Sequence, residues 1–512
     1  MKKRTITLFT ALALLLFAGS VAANNINVSN IRVTGQNTTA GENNSANYTL
    51  VQFDLSWENS WRTSSAPNNW DAAWVFVKYR VGSGDWQHAW LNNTGHSSGT
   101  GTSATIDAGL LTPGTAFHAT TNPALGVFIY RSADGTGNFS ITGAQLRWNY
   151  GANGVADNAT VDVKVFAIEM VYVPAGSFDV GSGGTESGSF TNGSWSSGAT
   201  IPLLISSESK LTIAPSTGNL WGTSTSGNST IGGEGTLPDA FPKGYAAFYC
   251  QKYEISQQQY VDFLNTLTST QASTRYPGQS TYRHAITVSD GVYSTDNPYV
   301  ACNFLSWMDG AAYSDWAGLR PMTELEFEKA CRGTVTPVAN EYAWGTATVA
   351  SSAYTLENPG ATNEGIASNY STSAGNASYD ITDGSIDGPL RVGIFAANAN
   401  NSGRITAGAS YYGIMELSGN LWERAVTVGN ATGRAFTGLH GNGALSTNGH
   451  ANETDWPGLT GGEVTGATGS GFRGGFWYSN ATRMRVSDRN YAALTYTNRD
   501  NLYGFRAVRV AP

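Results

Sequence analysis

Tyr412-Gly413-Ile414-Met415-Glu416-Leu417-Ser418-Gly419-Asn420-Leu421-Trp422-Glu423 is the run on which the reading of this 512-residue chain turns. Working outward, Arg473-Gly474-Gly475 and Gly504-Phe505-Arg506 follow it. Three blocks precede it: Met170-Val171-Tyr172-Val173-Pro174-Ala175-Gly176-Ser177-Phe178, Lys252-Tyr253-Glu254-Ile255-Ser256, and Gly318-Leu319-Arg320-Pro321-Met322-Thr323-Glu324-Leu325-Glu326-Phe327-Glu328. Between and around them the sequence predicts three short helices. Ser256 and Gln259 form a capping box ahead of an apolar face of Tyr260, Phe263, Leu264 and Leu267. Ser306 caps a second helix that carries Trp307, Tyr313 and Trp316 and ends at Gly318. Thr323 and Glu326 box a third, which ends near Gly333. Three helices set among many strands make this region α+β.

The N-terminal part reads as all-β. Tyr48 to Trp57 alternates, and so does Ala73 to Arg80, with a Gly82-Ser83-Gly84-Asp85 turn before Trp86 to Trp90. Turn residues recur at short intervals and no helical period appears, so residues 24–165 are expected to form a β-sandwich. Thr160 to Pro174 contains neither Gly nor Ser, and its β-branched run predicts a stiff junction into a second domain over 166–512. The Gly/Ser/Thr-rich stretches at about 181–235 and 430–471 are expected to be long loop insertions. Trp57, Trp61, Trp70, Trp74, Trp86 and Trp90 offer a sugar-stacking platform, although so many rings must mostly serve a core.

Taken in order, the six blocks resemble the formylglycine-generating enzyme (sulfatase-modifying factor) family. The resemblance covers about residues 168–512 and implies a C-type-lectin-like fold. Family oxidases hold copper(I) with two cysteines after the Arg-Gly-Gly block, and soft thiolates are what that ion requires. Those positions are Ser479 and Met484 here, so no copper and no oxidase activity are expected. The six histidines are scattered and form no His-x-x-x-His pair, which leaves no site like that of the iron-dependent relatives. The resemblance does imply structural calcium, held by the Glu416 and Glu423 carboxylates with the carbonyls of Gly419 and Leu421. Carboxylate and carbonyl oxygens suit that hard cation. A second implied calcium set falls on Asn369, Tyr370, Asp383 and Ser385.

Trp477 to Tyr503 is rich in Tyr, Asn, Asp, Ser and Arg, as binding surfaces are. Trp477, Tyr478, Asn480, Arg483, Asp488, Asn490, Tyr491, Tyr496, Asn498, Asp500 and Tyr503 are its candidate ligand-binding residues. The stretch also resembles the variable segments of lectin-fold proteins that retroelements diversify. Fold does not carry function, and with the copper ligands absent the expectation is a non-catalytic protein that binds a glycan or a protein. The alternative is a structural subunit that self-associates into an extracellular filament, with glycans on Asn-x-Ser/Thr sites such as Asn47, Asn138, Asn158 and Asn430.

Composition limits the remaining classes. The first 23 residues read as an export signal: Lys2, Lys3 and Arg4, then an apolar run from Ile6 to Ala18, then small residues. A secreted or cell-surface location is expected, with no membrane span. The formal charge of −8 disfavours nucleic acid as a partner. Cys250, Cys302 and Cys331 leave two readings open, one disulfide with a spare thiol or three buried thiols.

Overall fold

The computed structural model describes residues 26–381 and 386–512, so the expected export signal lies outside the described residues. The fold is α+β and rich in strands. One eight-stranded sheet runs through the molecule. Its main path is Arg320–Pro321, Ala507–Val510, Phe248–Gln251, Val161–Val173, Asp71–Val81, Ala124–Arg131 and Ala104–Leu110. A four-stranded sheet of Asn27–Asn37, Tyr48–Arg62, Gly135–Trp148 and Thr100–Gly101 packs beside it.

The long strand Val161–Val173 explains the stretch without glycine or serine. Its first part pairs with Asp71–Val81, from Val161↔Val81 to Val171↔Asp71. Its last four residues pair with Phe248–Gln251. The boundary expected at 165/166 therefore falls inside one continuous strand.

Parity along the neighbouring strand assigns its two faces. Ala73, Val75, Val77 and Tyr79 pack with Val51, Phe53, Leu55, Leu146 and Trp148 in the sandwich core. Ala72, Trp74 and Phe76 point the other way, into a core shared with Tyr260, Phe263, Tyr313 and Trp316. Successive side chains on a strand project to opposite faces, so one strand supplies two cores.

Five α-helices occur among the described residues: α1 Gln257–Leu264, α2 Ser269–Arg275, α3 Trp307–Trp316, α4 Glu324–Arg332 and α5 Ala431–Arg434. The three predicted helices are α1, α3 and α4, each with its capping box formed. α2 was not expected. It has its own box, Thr268 with Gln271, but buries only Ala272 and Arg275 and so shows no apolar stripe.

The expected insertions carry buried anchors, and the first is not all loop. Within 181–235, Phe190–Asn192, Leu220–Gly222 and Leu211–Ile213 join Gly235–Leu237 in a four-stranded sheet. Phe190, Ile213, Leu220, Ile231 and Leu237 are fully buried in the main core. Within 430–471, Phe436 and Trp456 are buried as well. Strands of three residues are too short to display a period, which is why composition alone suggested surface loops.

Candidate functional site

The Tyr412–Glu423 run is a tight irregular turn. Glu416 and Asn420 both adopt left-handed backbone, at φ of 54° and 67°, and Gly419 sits at 96°. Glu423 then enters the strand Glu423–Val426, which pairs with Ser470–Arg473. Gly475 follows at the close of that hairpin. A Cβ there would stand 2.8 Å from Met484 Cγ and 3.0 Å from Ser479 Oγ, so glycine is required for the approach.

A buried acidic group forms around this turn. The Leu421 N–H donates to Glu254 Oε1 at 2.9 Å, and the Asn420 side-chain amide donates to the other oxygen. Arg506 Nε donates to Glu423 Oε1 at 2.7 Å, while its two Nη groups donate to the carbonyls of Gln251 and Met415. Glu416 Oε1 accepts the Gly393 N–H at 2.8 Å. Glu416 Oε2 and Glu423 Oε2 are buried without any hydrogen-bond partner among the described residues.

Burial pushes the Glu416 carboxyl up to about 7, against the opposing pull of Arg506. Burial and the nearby Glu423 charge hold Glu254 well above the usual carboxylate range. Glu423 is raised by burial, with Arg506 opposing. Glu254 and Arg506 were not among the expected site residues. Both stand in the quoted blocks, which was the signal available.

A second network anchors the same hairpin to α4. Arg473 donates to Glu324 Oε2 and Glu328 Oε1, both at 2.9 Å. Arg489 Nε donates to Glu324 Oε2 at 2.7 Å. All four side chains are fully buried. The carboxylates of α4 thus act as clamps for arginines that arrive from segments distant in the chain.

Compared with known families, residues 217–511 match the Sulfatase-modifying factor enzyme 1-like domain. The chain belongs to that family. The match begins downstream of Met170–Phe178, the first of the six blocks. No curated protein matches the chain.

The positions where the sulfatase-modifying factor resemblance implies copper ligands lie side by side in this structure. Ser479 Oγ accepts the Phe476 N–H at 3.1 Å. Met484 is fully buried among Tyr342, Trp344, Ala377 and Tyr379, and its Sδ would lie 3.0 Å from a Cβ on Gly419. The three cysteines are buried and unpaired, which resolves the open choice between a bridge and free thiols. Burial pushes the Cys250 thiol up to about 12 and holds Cys302 and Cys331 well above the usual thiol range.

Among the described residues, no three or more His, Cys, Asp or Glu side chains are gathered so as to hold a metal ion. In the second expected calcium set, the Asn369 amide donates to the Ala353 carbonyl. The Tyr370 hydroxyl donates to the Thr406 carbonyl at 2.8 Å. Asp383 and Ser385 lie outside the described residues.

The Trp477–Tyr503 stretch divides by burial. Trp477, Asp488 and Tyr503 turn inward, with Trp477 Nε1 donating to the Asn501 carbonyl. These three anchor the stretch and present no face to a ligand. Arg483, Asn490, Tyr491 and Asp500 are half-buried, and Arg483 stacks over the Tyr491 ring. Tyr478, Asn480, Tyr496 and Asn498 are exposed; Tyr478 and Tyr496 each leave 52% of their surface in solvent. Asn47, expected as a glycan acceptor, is also turned inward. Its amide donates to the Gly41 carbonyl and to Asp157 Oδ1, which removes it as an acceptor, while Asn138 and Asn158 are exposed.

No helix among the described residues is long and apolar enough to cross a membrane.

Proposed function

We propose that this chain is a secreted, non-catalytic member of the sulfatase-modifying factor family that presents a lectin-fold surface to a glycan or protein ligand. The observation that carries this reading is the pair Ser479 and Met484 where the family resemblance implies copper-holding thiolates. A hydroxyl engaged with a backbone amide and a single thioether packed among aromatic rings form a poor copper(I) site. The remaining thiols are buried and disfavour the thiolate form, so they supply no substitute. The exposed Tyr478, Asn480, Tyr496 and Asn498 provide adaptable polar and aromatic contacts, and the inward Trp477 and Tyr503 hold the stretch that bears them.

Two measurements test the reading. Purified protein incubated with copper(I) and a cysteine-containing peptide is expected neither to retain stoichiometric metal nor to oxidise the thiol. Turnover of the peptide would overturn the non-catalytic assignment. On a glycan and protein array, the Tyr478→Ala/Tyr496→Ala variant is expected to lose signals that the parent protein gives.

We also propose structural calcium at Glu416 and Glu423. Their two buried, unpartnered oxygens and their raised proton affinity fit a hard cation, which would neutralise the pair and brace the turn. The melting temperature is expected to rise with calcium and fall with chelator, and Glu416→Gln is expected to abolish the difference.

The filament reading keeps one supporting observation. The strand Asn27–Asn37 lies at a sheet edge with Ile31 and Val33 more than a third exposed, which is a surface that strand addition can use. Electron microscopy of native material showing regular polymers would favour it over a monomeric binder.

A further inference from the structure

The six tryptophans of the N-terminal strands do not share one role. Trp57 and Trp74 are core. Trp86 and Trp90 instead border a cavity of about 560 Å³ between the turn after Asp71–Val81, the start of α2 and the loop around Asn442. That size lies within the range of about 300–1,000 Å³ typical of small-ligand sites.

Its walls are fixed in place. Lys78 Nζ donates to the Gly443 carbonyl at 2.8 Å, and the Gly443 N–H donates to the Asp315 carbonyl at 3.0 Å. A Cβ on Gly443 would stand 2.3 Å from the His88 ring, so this loop is seated directly on the sheet. On the far wall, Gln271 closes its capping box with Thr268 and donates to the Ser446 carbonyl at 2.9 Å. The Trp90 N–H is held by Asn153 Oδ1 at 2.9 Å. A cavity braced this way needs no reorganisation to receive a ligand.

The lining combines aromatic faces with neutral hydrogen-bonding groups. The Trp90 ring is half-buried and makes no ring or cation contact with any described residue. Trp86 is held by Arg80 and Lys164, each 4.9 Å from its ring centre. The indole N–H groups of both tryptophans and the Gln87 amide nitrogen donate to no described residue. The charged groups of the lining are Asp85, exposed at the rim, and Lys78. Lys78 is buried with its ammonium committed to the Gly443 carbonyl, and burial pushes the His88 ring well below its ordinary range. An anionic ligand would therefore find no available cation inside.

We infer that this cavity is a binding site for a neutral oligosaccharide, with a pyranose ring stacked on Trp90 and its hydroxyls accepting from the free indole and amide donors. The electropositive C–H face of a pyranose matches the negative face of an indole, and hydroxyls match the unpaired neutral donors. The site is separate from the Tyr478–Asn498 surface, and the inference rests on the binding reading only in taking the protein as non-catalytic.

The test is calorimetry and tryptophan fluorescence on the full chain with cellotetraose, tetra-N-acetylchitotetraose and maltotetraose, and with tetragalacturonate as the charged control. At least one neutral oligosaccharide is expected to bind, with tetragalacturonate weaker. Trp90→Ala is expected to weaken that binding by about tenfold or more, with Trp90→Phe retaining most of it. Ala444→Trp, which fills the cavity from an exposed position, is expected to remove binding without lowering the melting temperature. It also keeps the test decisive if Trp90→Ala fails to fold. The inference is overturned if no neutral oligosaccharide binds, if binding survives Ala444→Trp, or if tetragalacturonate binds best. Binding that is lost in Tyr478→Ala/Tyr496→Ala but kept in Ala444→Trp would overturn it too, while leaving the outer-surface reading intact.

Discussion

The sandwich side of the shared sheet and the loop-rich side are held together by different physics. On the sandwich side, long ladders bury alternate apolar residues such as Val75, Val77, Leu146 and Trp148. Regular alternation there leaves few buried charges, and the interface is non-directional. On the other side, short strands and irregular turns are cross-braced by arginines on buried carboxylates: Glu324 and Glu328 with Arg473 and Arg489, Glu423 with Arg506, Asp309 with the half-buried Arg499. Ion pairs are poor sources of net stability but demanding about geometry. A region without ladders to set its register gains most from contacts that tolerate only one arrangement. The two sides meet at Asp71, Glu169 and Lys252, where the Lys252 ammonium lies 2.9 Å from Glu169 and 3.5 Å from Asp71. Burial works against that charge, and Glu169, Tyr253 and Asp71 together outweigh it and hold Lys252 well above its ordinary range.

This contrast can be broken or sharpened by substitution. The largest effect is expected at Glu324, because Glu324→Ala leaves the buried Arg489 guanidinium with no carboxylate and takes one of two from Arg473. We expect a loss of about 3–5 kcal/mol in denaturant unfolding, accompanied by misplacement of the Ser470–Arg473 hairpin. Leu146→Ala, which only opens a cavity in the sandwich, is expected to cost about 3 kcal/mol and leave the loop-rich side in place. If Glu324→Ala proves the milder of the two, the distinction between the sides fails.

Glu416 should appear as a pH effect. Its folded-state proton affinity, at about 7, lies above the ordinary 4.5, so the folded chain holds the extra proton between these values. Its contribution to stability is therefore complete below about pH 4.5 and is lost as pH rises towards about 7. In calcium-free buffer, stability measured from pH 4.5 to 8 should fall less steeply in Glu416→Gln than in the parent. Equal slopes would show that burial does not perturb this carboxyl. The smallest effect belongs to Asp162. Its pair with Arg80 at 2.8 Å is half-exposed on both sides, and Asp162→Asn should change stability by no more than about 0.5 kcal/mol.

Capping boxes mark α1 and α4 in the sequence and the Ser306 cap marks α3, because a cap and the residues it serves lie within one turn in the chain. α2 escaped because a box without an apolar stripe looks like a polar loop. The six tryptophans from Trp57 to Trp90 look alike in sequence, and only parity and packing separate the buried Trp57 and Trp74 from Trp86 and Trp90 at the cavity. The acidic turn was half legible: Glu416 and Glu423 stand in one motif, whereas Glu254 and Arg506 reach it from more than eighty residues away on either side.

By itself, the order of residues determined the family, the three capped helices and the alternating strands. These are local matters, carried by side-chain type and spacing of a few residues. Tertiary structure alone decided that Val161–Val173 is one strand serving both sides, that the Gly/Ser/Thr-rich stretch of 181–235 carries short strands with buried apolar anchors, and which tryptophans face a cavity. Those outcomes depend on which distant segment covers each face, and burial is a property of the pair of surfaces rather than of either sequence.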